Sequence, residues 1–461
     1  MYTELPKYNA VSGARTGGRG RLNDRLIERA TMSKVARRLI PFMIAMFCAN
    51  FLDRVNIGFA ALQMNHDLGL TPQAFGLGAG ILFVSYTLCE IPSNLILVKV
   101  GPRRWLARIM ISWGVIAMAN ALVFDRGSLY AMRFLLGAAE AGFFPGIMVF
   151  ISRWFPARER AGAITLFMVG SPLSVVVGAP VSTALLSLHG WLLAGWQWLF
   201  VLEGLPAVVL GVMALRWLDD RPEDAGWLRT EERAWLSATL AEESRRKRAT
   251  PGRPSRAAAV FLHGPTLLLA LSKLCVLLAF FGITLWLPQI IHAFSGASRL
   301  ETGLLTALPY ACAAVGSVVA GHSSDRSGER GLHIALPAFV GALGFGAAAL
   351  TSNPYLAMAA LCVAATGLWI SNTVFWTLPT AILAGTPAAA GLALINSVGN
   401  FGGFFGAILT GWVRAHTGSF ALALAALGCF LALSGVLVLL VARAPESRGP
   451  GSLLSCPDAR A

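Results

Sequence analysis

Residues 51–58 read Phe51-Leu52-Asp53-Arg54-Val55-Asn56-Ile57-Gly58, placing an acid and a base side by side within an apolar run from about residue 39 to about residue 62. A helix rises about 1.5 Å per residue, so about 20 apolar residues cross roughly 30 Å of hydrocarbon. This run is long enough. A charge at such a depth costs on the order of 2.5–3.5 kcal/mol and normally turns toward a protein interior or a wet cavity, where it finds a partner. Asp53 and Arg54 are therefore either an ion pair that fixes helix packing or part of a proton or substrate site.

The composition extends this frame to the whole chain, which is 56% hydrophobic and 13% charged, against roughly 25% charged residues in a soluble domain. The net charge of +14 resides in short segments between hydrophobic runs, which fits orientation in a membrane and argues against nucleic-acid binding. Cys48, Cys89, Cys275, Cys312, Cys362 and Cys429 sit singly in apolar runs, without metal-ligand spacing or a disulfide pattern, and read as small core hydrophobes.

Hydrophobic runs recur at about 39–62, 74–98, 105–124, 128–152, 161–186, 197–218, 263–291, 302–322, 333–351, 355–384, 389–413 and 418–442, giving twelve spans, numbered 1 to 12 below. A polar arm of residues 1–36 carries no cleavable signal, so span 1 is expected to direct insertion. The hydrophilic break at 219–261 separates a six-helix bundle (37–218) from a second (262–443) and is expected to hold a helix from Thr230 to Glu243, with Thr230 as its cap; a tail, 444–461, follows. Lys and Arg concentrate in alternate loops (Lys99, Arg103, Arg104 and Arg108; Arg153, Arg158 and Arg160; Arg326 and Arg330) together with the arm, the linker and the tail. That side is expected to be cytoplasmic, with both termini on it.

The two halves echo one another. Gly321-His322-Ser323-Ser324-Asp325-Arg326-Ser327-Gly328-Glu329-Arg330 follows span 8, and a degraded counterpart, Val98-Lys99-Val100-Gly101-Pro102-Arg103-Arg104, follows span 2, as in a duplicated transporter. The loop pattern G-x-x-x-D-R-x-G-x-R resembles the signature of the major facilitator superfamily. F-L-D-R-V-N-I-G in span 1, E-I-P-S-N-L-I in span 2, R-F-L-L-G-A-A-E-A-G-F-F-P-G in span 4 and A-L-I-N-S-V-G-N-F-G-G-F-F-G in span 11 resemble its anion:cation symporter branch. Val98 stands where the family usually has Asp, which weakens the gating contact expected there.

The resemblance implies an all-α membrane protein of twelve transmembrane helices in two pseudo-symmetric six-helix bundles. It further implies a monomer in the cell inner membrane that imports a small organic anion such as a sugar acid, tartrate or an aromatic carboxylate. The proton is the coupling ion, and no organic cofactor or metal is implied. The gating residues it marks are Gly321, Asp325, Arg326, Gly328 and Arg330, with Gly101, Arg103 and Arg104 in the first half.

Arg133 and Glu140 of span 4 lie two helical turns apart and share a face. Counting residues puts Arg133 at a depth similar to that of Asp53 and Arg54, so an Asp53–Arg133 pairing is expected, leaving Arg54 to face an anion and Glu140 to be protonated. By resemblance, Asp53 and Glu140 are proton-coupling acids, and Arg54 and Arg133 the anion and coupling arginines. Tyr86 either lines the cavity or bonds a neighbouring helix. Asn396 is expected to touch substrate, Asn400 to touch it or pack, and Thr373 and Trp376 to line the cavity by family position. Glu90 is expected to bond backbone or gate residues, and Glu203 to be structural. Lys273 either adds a second positive charge to the cavity or snorkels toward the cytoplasm.

Two other classes fit less well. An intramembrane enzyme needs a metal cluster or a nucleophile with its base, and no such set emerges. A receptor on the same scaffold has no use for coupling acids, yet Asp53 and Glu140 are both present. Span 5 carries Gly170-Ser171-Pro172 and Gly178-Ala179-Pro180, which do not complete the G-x-x-x-G-P-x-x-G-G run expected of drug/proton antiporters.

Overall fold

The computed structural model describes residues 17–188, 193–249, 263–327, 329–382 and 386–443. Twelve of its helices are long and apolar enough to cross a membrane: Leu26–Asp67, Pro72–Val100, Pro102–Leu122, Arg126–Trp154, Ala157–Leu185, Gly195–Trp217, Gly264–Thr284, Arg299–Ser324, Gly331–Leu350, Pro354–Pro379, Gly391–Thr417 and Ala421–Arg443. These are spans 1 to 12.

Spans 1 to 6 pack among themselves, span 3 on span 6, span 2 on span 4, and span 1 on spans 5 and 6; spans 7 to 12 do the same, span 7 on spans 11 and 12, and span 10 on spans 8 and 9. The two groups meet along span 2 with span 11 and span 5 with span 8.

The helix that contains span 1 begins at Gly17, so residues 17–36 of the expected polar arm are helical. Packing on the linker accounts for it. Lys34 Nζ lies 2.5 Å from Glu232 Oε1, and the Arg38 guanidinium sits 4.5 Å from the Trp217 ring and 4.9 Å from that of Trp227, where a cation gains from the ring quadrupole. The linker helix runs Thr230–Ala249, longer than expected, and at its start the Glu232 carboxylate accepts from Arg229 N at 2.9 Å. Trp227 stacks on Trp154 at 5.5 Å, and both indoles donate to Asp219. The linker is thus clamped to the first bundle. Residues 1–16, 250–262 and 444–461 lie outside the described residues.

The end that bears the linker and the opposite, far end differ in packing. In the far half of span 2, residues 72–86, Gln73 alone is exposed, whereas seven of the ten residues from 91 to 100 are. Two glycines show how close the bundles come at the far end: a methyl on Gly76 would stand 2.7 Å from Ala407 O, and one on Gly303 2.7 Å from Ala179 O. Small residues permit such backbone approach in a membrane. The bundles touch closely at the far end, and toward the linker end span 2 becomes largely exposed.

If that contact holds the far end shut, Gly76→Val should force it apart. Spin labels at Gln73 and Trp412, both exposed at the far end, should then report a longer distance distribution than in the parent protein. An unchanged distribution would show that the helices close without this approach.

Candidate functional site

Neighbouring residues on a helix point about 100° apart, so Asp53 and Arg54 cannot serve one partner. Asp53 is buried in the first bundle, where it accepts from Trp113 Nε1 of span 3 at 2.6 Å and from Asn56 Nδ2 at 3.0 Å. Arg54 turns toward span 4. Its Nε lies 2.5 Å from Glu140 Oε1, the same oxygen accepts from Asn50 Nδ2 at 2.5 Å, and the guanidinium stands 4.8 Å from the centre of the Tyr86 ring.

The expected Asp53–Arg133 pairing is therefore corrected. Among the described residues it is Arg54 that pairs with Glu140, while Arg133, 1% exposed, has its Nε and Nη1 buried without a hydrogen-bond partner. Trp113 takes the role assigned to Arg133; an indole N–H donor on span 3 gives no charge signal in the sequence.

Span 4 explains why Glu140 is where it is. Its first segment, Arg126–Glu140, ends at this residue, and a second, Phe143–Trp154, follows Gly142 at φ +87°, a conformation that favours glycine. The break frees the Ala141 carbonyl, which accepts from Ser93 Oγ of span 2 at 2.7 Å, and Ser93 in turn accepts from Trp105 Nε1 at 3.0 Å. In hydrocarbon a freed carbonyl needs such a partner. The Glu-Ala-Gly and Pro-Ser-Asn runs thus answer each other across two helices.

Lys273 does not snorkel and, among the described residues, meets no carboxylate. It is 2% exposed, its Nζ donates to Asn372 Oδ1 at 2.8 Å, and it stands 4.8 Å from the rings of both Phe375 and Trp376. Trp376 and Thr373 thus belong with Asn372 to the stretch of span 10 that surrounds the lysine. Asn396 and Asn400 of span 11 are turned to span 2, and both bond Glu90: Asn396 Nδ2 to Oε1 at 2.8 Å and Asn400 Nδ2 to Oε2 at 3.4 Å. Glu90, expected to hold backbone or a gate, joins the two bundles instead. Glu203 accepts from Ser182 Oγ at 2.5 Å within the first bundle.

The gating residues are apart from this site, at the linker end. Gly101 has φ +94°, Arg103 N donates to Asp220 Oδ1 at 2.9 Å and Arg103 Nε to Leu215 O at 2.9 Å, so Asp220 of the linker supplies an acid beside the loop that has Val98. Arg104 and Arg326 are exposed, and open space surrounds the Cα of Gly321. Arg330 Nη1 donates to Ser324 Oγ at 2.9 Å. Gly328 and the Asp325 side chain lie outside the described residues.

Each bundle thus holds a buried cation, Arg54 beside Glu140 in the first and Lys273 beside Asn372 in the second. Residues 42–407 match the model of the Major Facilitator Superfamily. The chain belongs to this superfamily and is a multi-pass membrane transporter. A putative tartrate transporter of Agrobacterium vitis is 44% identical over 92% of this chain and 97% of its own length. A quinolone resistance transporter of Acinetobacter baumannii is 40% identical over 86% of this chain and 91% of its own. The fold is shared with a bacterial homologue of the human lysosomal transporter Spinster in an inward-facing, occupied conformation, at a TM-score of 0.69 and 18% identity, covering 88% of this chain and 96% of that one.

A double-mutant cycle checks the pairing of charges in this transporter. Arg54→Ala leaves the Glu140 carboxylate buried without its cation, at a cost of about 3–5 kcal/mol, and Glu140→Gln in the same chain should restore most of the thermal stability. The cycle on Asp53→Asn and Arg133→Leu should show the smaller coupling. The reverse order would reinstate the Asp53–Arg133 pair.

Proposed function

We propose that this transporter is a proton-coupled symporter that imports a small organic anion across the inner membrane by alternating access. Its basic face and both termini are on the cytoplasmic side. Closure of the far end then corresponds to an inward-facing state.

The observation that carries this reading is the Arg54–Glu140 contact at the bundle junction. Arginine stays charged and presents a planar fork suited to a carboxylate. An anion that takes the guanidinium leaves Glu140 buried without a counter-charge, and a proton on Glu140 removes that penalty. Anion and proton therefore bind together more readily than either alone. Asp53, one residue away and held by Trp113 and Asn56, is a second acid in the same interior. Alternating contact of the two bundles then carries both across.

Lys273 points to the class of anion. Among the described residues one of its three N–H donors is taken, by Asn372, which leaves it suited to a carboxylate in the bundle that does not hold Arg54. Two cations, one per bundle, suit a dicarboxylate such as tartrate, in keeping with the name of the Agrobacterium relative. The relative concerned with quinolone resistance supports efflux as the second reading. A sensor without coupled transport is the third, and it gives Glu140 no task.

Uptake of labelled L-tartrate into proteoliposomes with an imposed proton gradient distinguishes these. Accumulation that collapses with a protonophore supports symport; export on the same gradient supports efflux; binding without flux supports a sensor. In a symporter, Arg54→Ala should abolish binding in a folded protein. Glu140→Gln should lose accumulation yet keep counterflow exchange, because the amide resembles the protonated acid. Accumulation by Glu140→Gln at the parent level would place the coupling proton elsewhere.

Lys273→Met should weaken tartrate binding by about tenfold and change glycerate binding by less than about twofold, a difference of about 1 kcal/mol. Equal losses for the two compounds would reduce Lys273 to a packing residue.

A further inference from the structure

Glu90 has no place in the cycle just described, yet it holds a position that no packing need explains. It is 5% exposed and lies one turn beyond Tyr86 on span 2, so the two share a face. Its oxygens take the amides of Asn396 and Asn400 across the bundle junction. The other inter-bundle hydrogen bond of note, Asn65 Nδ2 to Gln289 Oε1 at 3.3 Å, is at the far end. The Glu90 bridge lies between the closely packed far half of span 2 and its exposed linker half.

A carboxylate that accepts from two amides and lies in the field of Arg54 does what a bound organic anion would do. Apart from Arg54 of span 1, the groups near it are neutral or already engaged. Tyr86 lies beneath the Arg54 guanidinium, Glu140 of span 4 is paired with that same guanidinium, and span 11 presents amides. Lys273 of span 7 packs its stem against Gly399, in the same turn of span 11, with its amine turned to Asn372.

We propose that Glu90 is an internal competitor of the substrate, an anion that occupies the Asn396–Asn400 amides in the unloaded transporter and must be protonated or displaced before a substrate carboxylate can take them. Ionised, it repels the incoming anion at short range and holds its donors. Protonated, it yields the amides and adds no charge. Loading therefore takes up a proton at Glu90 in addition to any at Glu140, and release of substrate lets the bridge re-form. This rests on the reading of the protein as an organic-anion carrier.

The test is tartrate binding to the purified full-length protein between pH 6 and pH 8, with proton uptake on binding followed by a pH indicator in weak buffer. In the parent protein, affinity should fall as pH rises, since ionised Glu90 competes. Glu90→Gln should bind more tightly than the parent at pH 8, flatten the plot of log Kd against pH by about one unit of slope, and take up about one proton fewer per tartrate. A purely structural bridge would leave slope and proton count as they are, because glutamine can still accept from one amide. Should Glu90→Gln fail to fold, Glu90→Asp, too short to span the junction, should likewise bind more tightly than the parent.

A parent slope retained in Glu90→Gln but lost in Glu140→Gln overturns the proposal and leaves symport standing. A parent protein that binds neither tartrate nor any other carboxylate at any pH overturns both.

Discussion

A charge in hydrocarbon must have company, and the arrangement of this transporter follows from how few partners are on offer. Asp53, Arg54, Arg133 and Glu140 share one interior, but their contacts are unequal: Glu140 has Arg54 and Asn50, Asp53 has Trp113 and Asn56, and Arg133 has no hydrogen bond from Nε or Nη1. Burying a pair is close to neutral, whereas breaking one is expensive. That asymmetry makes the Arg54–Glu140 contact responsive. A second anion near Arg54 cannot be ignored by Glu140, and a proton on Glu140 cannot be ignored by Arg54.

The same economy of contact shapes the scaffold. Helices in lipid gain little from burying apolar surface against one another, so their association depends on close backbone approach and on internal hydrogen bonds. The far end has the first through glycines at 76 and 303. The bridge from Glu90 to span 11 is the second kind, polar and reversible. A far end closed by shape and a junction closed by hydrogen bonds are disrupted by different things: a bulky side chain undoes the former, a proton or a competing anion the latter.

Much of this was legible in the residues. Twelve apolar runs marked the twelve spans, because length and hydropathy are local properties, although span 1 begins thirteen residues earlier than its apolar run and span 7 ends seven residues sooner. Counting residues set Arg133 level with Asp53 and Arg54, whereas Arg54 meets Glu140, two turns further along span 4. Partner choice was not legible, since it depends on which way each side chain points around its helix and on neutral donors such as Trp113 and Asn50 that carry no charge to notice. The break at Gly142 escaped for a similar reason: a glycine in a membrane helix is common, and only the left-handed φ, together with Ser93 waiting on span 2, shows that this one ends a segment. Residues 17–36 misled in the other direction. Their polarity argued for a free arm, but Lys34 and Arg38 find partners on the linker that lies some two hundred residues away in sequence.

The two cations illustrate how chemistry is divided between the bundles. Arg54 is balanced by an acid of its own bundle, so in the proposed cycle it becomes available to substrate in exchange for a proton. Lys273 is held by neutral groups, an amide oxygen and two ring faces, and an anion can approach it without displacing a charge. In the proposed cycle coupling therefore belongs to the first bundle, where binding is accompanied by protonation. In the same proposal, selection between one and two carboxylates belongs to the second, where the cation is held by neutral groups. A substrate that engages both centres ties the bundles together, and only then does it make a difference which end of the junction is closed.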